Sequence, residues 1–274
     1  MGIWQDLLTF VGLAVGLVIV TRTLLVRGLE MTSKGWGLPP KVQGQVLGYA
    51  TSVPELVGTV ATAWRGLLGA GLWNVAASNI INFGLFVTAA LYYRRTHQLV
   101  KRKFLDEVGF ALGAIALPLA LATMGAWART PWAAALLVAF FITYLVADAR
   151  LNRPAADEEG EQGPPPRDSQ LGRRGLLRAG VGVLCIMVLG HFLGAVAERV
   201  VVDIGVPEYA VGWLLGVVTS IPELTSFFTV FGSGSASADD DDCQQNLDNL
   251  AASNMSNIGI VYPVGIVIYL LVAG

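Results

Sequence analysis

Eight runs of about 20 mostly apolar residues divide this chain, near 3–21, 42–64, 67–93, 104–126, 131–149, 175–197, 205–231 and 246–272. Each is long enough to cross the hydrocarbon core of a bilayer, which takes about 20 residues of helix. Lipid offers the backbone no hydrogen-bond partner, so runs of this length must bond their own N–H and C=O groups as helices. Mean hydropathy is +0.60 and only 14% of the 274 residues are charged, far from the composition of a soluble domain. The expected fold is an all-α integral membrane bundle of about eight transmembrane helices, with the lipid bilayer as its solvent. The near-neutral net charge of −2 says nothing about nucleic acid, and no nucleic-acid partner is expected. Cys185 in an apolar run and Cys243 in a polar loop make no disulfide framework. The first run lacks the basic start and cleavage pattern of a signal peptide and is expected to be retained.

The chain divides into a first membrane half (1–150), a linker (151–174) and a second membrane half (175–274). The stretch RPAADEEGEQGPPPRDSQ, Arg153 to Gln170, is rich in Pro, Gly and acid and cannot pack a core, so it reads as disordered. Of 18 Lys and Arg residues, fifteen fall in alternate loops, including the linker, and only Arg65, Arg129 and Arg199 fall in the others. The positive-inside rule then makes the linker cytoplasmic and puts both termini outside.

Two blocks repeat. Gly48–Gly58 aligns with Gly216–Ser226 at six identities in eleven, around TSVPEL and TSIPEL. NVAASNIINFG, from Asn74, aligns with NLAASNMSNIG, from Asn249, at seven identities in eleven. The order is kept, which argues for duplication. The first copy occupies about 42–93 and the second about 205–272. The second lies five spans on, an odd number, so the two run in opposite directions. Inverted-topology repeats place a transporter's substrate site near the bilayer midplane, on interrupted helices.

Of the 20 acids, only Glu55 and Glu223 fall in the middle of predicted spans. A charge there costs roughly 3 kcal/mol on insertion scales, and two facing carboxylates need a cation or protons between them. Pro54 and Pro222 lack an N–H and clash with the carbonyls of Ala50 and Val218, so carbonyls in 48–51 and 216–219 are expected to be freed. Thr51, Ser52, Thr219 and Ser220 add hydroxyls. Ser78 and Asn82, like Ser253 and Asn257, are four apart and share a helical face. Hard oxygen donors without His or Cys suit Ca2+ or Na+ rather than zinc or copper. Ser, Thr and Asn in membrane helices ordinarily serve as interhelical glue; the repetition of the whole constellation favours the ion-binding reading. His191 reads as a packed residue, His97 as part of a basic loop, and Asp239–Asp242 as a solvated loop.

TSVPEL with NVAASNIIN, and TSIPEL with NLAASNMSN, resemble the two alpha repeats of the cation/calcium exchanger superfamily, the sodium/calcium exchangers and their prokaryotic relatives. The resemblance implies an alternating-access antiporter in a prokaryotic plasma membrane, moving Ca2+ against Na+ or H+, with no cofactor and no enzymatic chemistry. It implies ion ligation by Glu55, Glu223, Thr51, Ser52, Thr219, Ser220, Ser78, Asn82 and Ser253 and by the carbonyls of Gly48 and Gly216. Two departures stand out. The family usually has ten helices, whereas the second half here shows three predicted spans, so the family's last two are expected to be lacking. Many sodium-coupled members carry Asp where this chain has Asn257. A rival reading is therefore a shortened, non-transporting subunit, in a homo- or hetero-oligomer that supplies the missing helices.

A protease site inserted between Arg153 and Gln170 is expected to be cut only from the cytoplasmic face of oriented vesicles. Cutting from the outer face would reverse the topology.

Overall fold

The structure, a computed structural model, describes residues 3–96, 101, 105–151, 168–233 and 239–273, and every regular element in them is helical. Most of the 153–170 linker, and His97, lie outside the described residues. In chain order the helices are α1 (Ile3–Val20), α2 (Arg27–Trp36), α3 (Pro40–Thr51), α4 (Val53–Ala63), α5 (Leu68–Tyr92), α6 (Leu105–Thr123), α7 (Pro131–Leu151), α8 (Ser169–Val202), α9 (Glu208–Thr219), α10 (Ile221–Ser233), α11 (Asp239–Ser256) and α12 (Tyr262–Ala273). The π-helical segments Thr21–Val26 and Asn257–Val261 join α1 to α2 and α11 to α12. The helices thus group into eight membrane-length units. Six stretches within them meet the length and apolarity of a spanning helix on their own. The other two are α3–α4, broken at Ser52, and α6, which opens on Asp106 and Glu107.

Two units are longer than the hydropathy suggests. The first runs 33 residues, Trp4–Trp36, so Arg22, Arg27 and Lys34 stand on helix rather than in a loop. At 1.5 Å per residue that is about 50 Å, more than the hydrocarbon core needs. It ends at Gly37, whose φ of +65° lets Gly37 and Leu38 donate back to Lys34 and Ser33. The unit in the second half also starts early, at Ser169, because Asp168 Oδ1 accepts from the amides of Gln170 and Leu171, both at 3.0 Å. Residues 169–174 are therefore helix, not linker. Charged ends hide such extensions from an apolar-run reading, because packing stabilises them instead.

That packing is backbone to backbone. A Cβ on Gly28 would lie 2.6 Å from the Ala179 amide, and one on Gly175 would lie 2.5 Å from the Gly28 carbonyl. Gly35 meets Gly172 in the same way, and Gly182 meets Leu25. The numbers rise along α1–α2 as they fall along α8, so the two long units are antiparallel. At the far end the Arg199 Nε donates to Asp6 at 3.0 Å. Lipid tails give helices no hydrophobic reason to associate, and small residues supply close contact instead. Further along α8, Gly190 and Gly194 receive Val57 and Ala61 of α4.

The repeats cross-pack. A Cβ on Gly48 of α3 would meet the Asn249 carbonyl at 2.5 Å, Ala252 Cβ at 2.8 Å and the Ser253 amide at 2.9 Å. A Cβ on Gly216 of α9 would meet the Asn74 carbonyl at 3.1 Å, Ala77 Cβ at 2.6 Å and the Ser78 amide at 3.0 Å. These are equivalent residues of the two copies. Gly44 and Gly48 meet successively later residues of α11, so α3 and α11 are parallel; Gly212 and Gly216 show the same for α9 and α5. Thr62 faces Gly71, and Asn74 reaches the carbonyl of Glu55, so α5 runs back along α4. Hence α3 and α9 are antiparallel, and the repeat is inverted.

Three smaller expectations change. Asp239–Asp242 open a helix rather than form a loop; acidic residues suit a helix N-terminus. Cys243 accordingly lies on helix and is fully buried. His191 is exposed on α8, edge-on to Phe192 at 5.6 Å, and is not packed.

Gly48→Ala and Gly216→Ala are each expected to cost roughly 1–3 kcal/mol by overpacking. Gly180→Ala, with nothing within 4 Å of the added carbon, is expected to be neutral or mildly stabilising. Thermal unfolding of the purified chain in detergent checks all three.

Candidate functional site

Both quoted stretches break their helices at one residue. Ser52, at φ −82° and ψ −3°, separates α3 from α4, and Ser220, at φ −80° and ψ 0°, separates α9 from α10. Pro54 and Pro222 cannot donate to the carbonyls of Ala50 and Val218, and in each copy the serine amide takes that acceptor. The Gly48 carbonyl accepts from the Thr51 and Ser52 hydroxyls, both at 3.1 Å, and the Gly216 carbonyl accepts from the Ser220 amide at 3.2 Å. The breaks are therefore tight turns whose named carbonyls already have partners, rather than unwound segments. What each break achieves is to start a short helix, α4 or α10, with its glutamate in the first turn, where the helix N-terminus favours negative charge.

Glu55 and Glu223 are both 0% exposed and close enough for their charges to interact. Each faces hydroxyls from both copies of the repeat: Thr219 and Ser78 face Glu55, and Thr51 and Ser253 face Glu223. Ser253 Oγ donates to Glu223 Oε1 at 3.1 Å, and Ser78 and Thr219 hydroxyls are 3.3 Å apart. Ser52 bonds the Ser253 hydroxyl at 3.1 Å and receives the Ser256 hydroxyl at 2.9 Å. Asn82 Nδ2 donates to Ser253 Oγ at 3.3 Å.

The oxygens left over are informative. Both carboxylate oxygens of Glu55, Glu223 Oε2, Asn82 Oδ1, Asn257 Oδ1 and Ser220 Oγ are buried without a hydrogen-bond partner among the described residues. Buried acceptors without partners are uncommon and costly. This set is all oxygen, includes two carboxyl groups, and lies where the inverted copies meet. Its chemistry fits a hard cation.

Asn257 lies one step aside. It opens the π-helical segment, and its Nδ2 donates to Asn79 Oδ1 at 2.9 Å. Asn79 and its counterpart Asn254, which the i, i+4 spacing does not pick out, clasp the two halves: Asn79 Nδ2 donates to the Asn254 carbonyl at 3.2 Å and Asn254 Nδ2 to the Asn79 carbonyl at 3.1 Å. A reciprocal pair of this kind marks the pseudo-two-fold axis. Asn74 and Asn249 also matter, reaching the Glu55 carbonyl and Ser226 Oγ. All four asparagines are identities in the repeated block, a signal that the i, i+4 face alone passes over. Asp248 corrects another reading. The apolar runs put it near a helix end, but α11 starts at Asp239, so it sits mid-helix and fully buried.

A cavity of about 670 Å3 lies beside this centre, lined by Leu47, Pro222, Thr225 and Ser226 and by Arg22, Arg27 and Lys34. It joins the basic end of the molecule to the residue next to Glu223.

An inverted pair of helical repeats with interrupted helices and buried carboxylates at their junction is the build of a secondary transporter, not of an enzyme. The family model for "Sodium/calcium exchanger protein" matches residues 7–148 and 175–273, and the chain belongs to that family of multi-pass membrane exchangers. It is 29% identical to the sodium/calcium exchanger MaX1 of Methanosarcina acetivorans over 147 residues, which is 53% of this chain and 41% of that protein. It is 23% identical over 270 residues to CaxA of Alkalimonas amylolytica, named as an antiporter, covering 94% of this chain and 80% of that one. The fold matches the sodium-calcium exchanger NCX_Mj soaked with 2.5 mM Na+ and 0.1 mM Sr2+, with a TM-score of 0.56 at 20% identity over 99% of this chain and 87% of that one.

Asn79→Ala and Asn254→Ala are each expected to cost roughly 1–3 kcal/mol, because each strands buried groups. A double-mutant cycle is expected to show a coupling of at least about 0.5 kcal/mol. Strict additivity would remove the clasp.

Proposed function

We propose that this chain is a secondary active antiporter that exchanges Ca2+ for Na+ by alternating access. The observation that carries the proposal is the pair Glu55 and Glu223, fully buried, related by the inverted repeat and left with unpartnered oxygens. Ca2+ takes about 6–8 oxygens at 2.3–2.6 Å. The two carboxylates would match its charge. Thr51, Ser78, Thr219 and Ser253 stand beside them, and Asn82 Oδ1 offers a neutral oxygen. Ser220 and Asn257 hold further unpartnered oxygens at the edge of the set. Ser52 and the carbonyls of Gly48 and Gly216 are bonded within the protein, and they serve by shaping the breaks, or as ligands only after those bonds give way.

Two Na+ would balance the same two charges, and so would two protons. A third Na+ would leave excess positive charge in a low-dielectric setting. Exchange of one Ca2+ for two monovalent ions is therefore expected, with little dependence on membrane potential. Na+ is favoured as counter-ion because the hydroxyls and Asn82 Oδ1 form small neutral-oxygen pockets beside the carboxylates. Asn257, where many sodium-coupled relatives carry Asp, favours the proton-coupled variant as the second reading. The cavity bounded by Leu47 and Pro222 supports access from the end where Lys and Arg concentrate.

Flux of radiolabelled Ca2+ into proteoliposomes of the purified chain, under imposed Na+ and then H+ gradients, tests the function and separates the two readings. Uptake driven by pH and indifferent to Na+ would assign protons; no uptake under either gradient would refute transport by this chain alone. Glu55→Gln and Glu223→Gln are each expected to lower flux at least about 100-fold, the equivalent of roughly 3 kcal/mol, with membrane insertion intact. Normal flux in either purified variant would remove that glutamate from the site. Asn257→Asp is expected to strengthen the Na+ or pH dependence; no change in either would take that side chain off the list.

A further inference from the structure

Away from the glutamate pair, three other acids converge from distant parts of the chain. Glu107 in the first turn of α6, Asp148 near the end of α7 and Asp248 within α11 each place a carboxylate oxygen within 4.8 Å of the other two. Glu107 is 1% exposed and Asp248 is fully buried, while Asp148 is half-buried. Amide groups hold them in place. Gln244 donates to Glu107 at 3.2 Å and to Asp248 at 3.0 Å, and Gln45 donates to Asp148 at 2.9 Å.

A second observation points into the cluster. Tyr144 lies one turn before Asp148 on α7 and is 1% exposed. Its hydroxyl lies within electrostatic reach of all three acids, yet it has no hydrogen-bond partner among the described residues. A buried phenol normally finds a partner. A buried hydroxyl this near to three carboxylates, with no hydrogen bond of its own, is a neutral oxygen still free to take a ligand beside the cluster.

We infer that Glu107, Asp148, Asp248 and the Tyr144 hydroxyl form a second cation site, separate from the Glu55–Glu223 pair, that takes a hard divalent ion such as Ca2+. The donors are all oxygen, which selects against soft transition metals. Two ligands on opposite sides of Ca2+ stand about 5 Å apart, and the observed 4.8 Å spacing fits inside that. The site also has mechanical reach. Asp248 immediately precedes Asn249, whose carbonyl packs on Gly48, and shares α11 with Ser253, which bonds Glu223. An ion held by α6, α7 and α11 together restrains the helix that carries half of the central constellation. By the charge bias of the loops it lies toward the cytoplasmic end, so it would sample a different side from the outer solution.

Equilibrium binding of radiolabelled Ca2+ to the purified full chain in detergent tests this. Two ions per chain are expected in the unmodified protein. Glu55→Gln combined with Glu223→Gln is expected to keep one, and adding Asp148→Asn to remove it. In the otherwise unmodified chain, Asp148→Asn is expected to lower the count from two to one, an arm that does not depend on the glutamate variants folding. Tyr144→Phe is expected to weaken the second ion about tenfold, as loss of a supporting ligand does elsewhere. A count of one in the unmodified chain that Asp148→Asn leaves unchanged would assign the cluster to water and overturn the site. A residual ion in the double glutamate variant that survives Asp148→Asn would overturn it too.

Discussion

Everything at the centre of this molecule depends on two glycines lying against small residues of the opposite repeat. Gly48 on Asn249, Ala252 and Ser253, and Gly216 on Asn74, Ala77 and Ser78, let backbones meet with no side chain between them. That contact brings Ser253 to Glu223, and Thr219 to Ser78 and Glu55. A wider separation would leave two carboxylates in an apolar interior facing nothing, at several kcal/mol each. In water the hydrophobic effect would enforce such an approach; in lipid it falls to close packing and hydrogen bonds.

The breaks at Ser52 and Ser220 show how a membrane protein interrupts a helix cheaply. Each proline removes one donor, and the serine amide two residues earlier takes over the stranded carbonyl. The Thr51 and Ser52 hydroxyls cover the next one, at Gly48. The side-chain oxygens of Glu55, Glu223, Asn82, Asn257 and Ser220 that lack partners among the described residues then line the repeat junction beside these breaks. The two halves are not equivalent in detail. Ser256 adds a hydroxyl bond to Ser52 where the first copy has Ile81, and Asn257 begins a π-helical segment where Asn82 continues an α-helix. An exchanger that presents one site to two sides needs halves that are similar but not identical, and this asymmetry is where they differ.

The part of the site legible in the sequence was the part written twice. Glu55, Glu223, Thr51, Thr219, Ser78 and Ser253 stand out because identical residues recur in identical order, and the structure gathers them. Asn79 and Asn254 recur equally well, but a side chain that bonds a carbonyl across a symmetry axis has no local signature. Asp248, Glu107 and Asp148 carry no repeat at all; each stands near the edge of an apolar run and reads as a helix end. Their convergence depends on how α6, α7 and α11 lie together, which no local pattern records.

By itself the sequence determined that the chain is a helical membrane bundle, that it contains an inverted duplication, and that two acids lie at membrane depth. Those conclusions follow from apolar run length, from residue identity at fixed offsets and from the parity of the spans, all local or countable properties. The tertiary structure decided where the helices end, as when Asp168 and the glycine seam of α2 and α8 extend them past their apolar runs. It decided that the carbonyls of Gly48 and Gly216 are already bonded, while side-chain oxygens of Glu55, Glu223 and Asn82 are left without partners among the described residues. It also decided that each glutamate is served by hydroxyls from both repeats. The reason is physical: satisfaction of a buried polar group is a property of all the surfaces around it, and those surfaces come from segments up to 204 residues apart, as with Ser52 and Ser256.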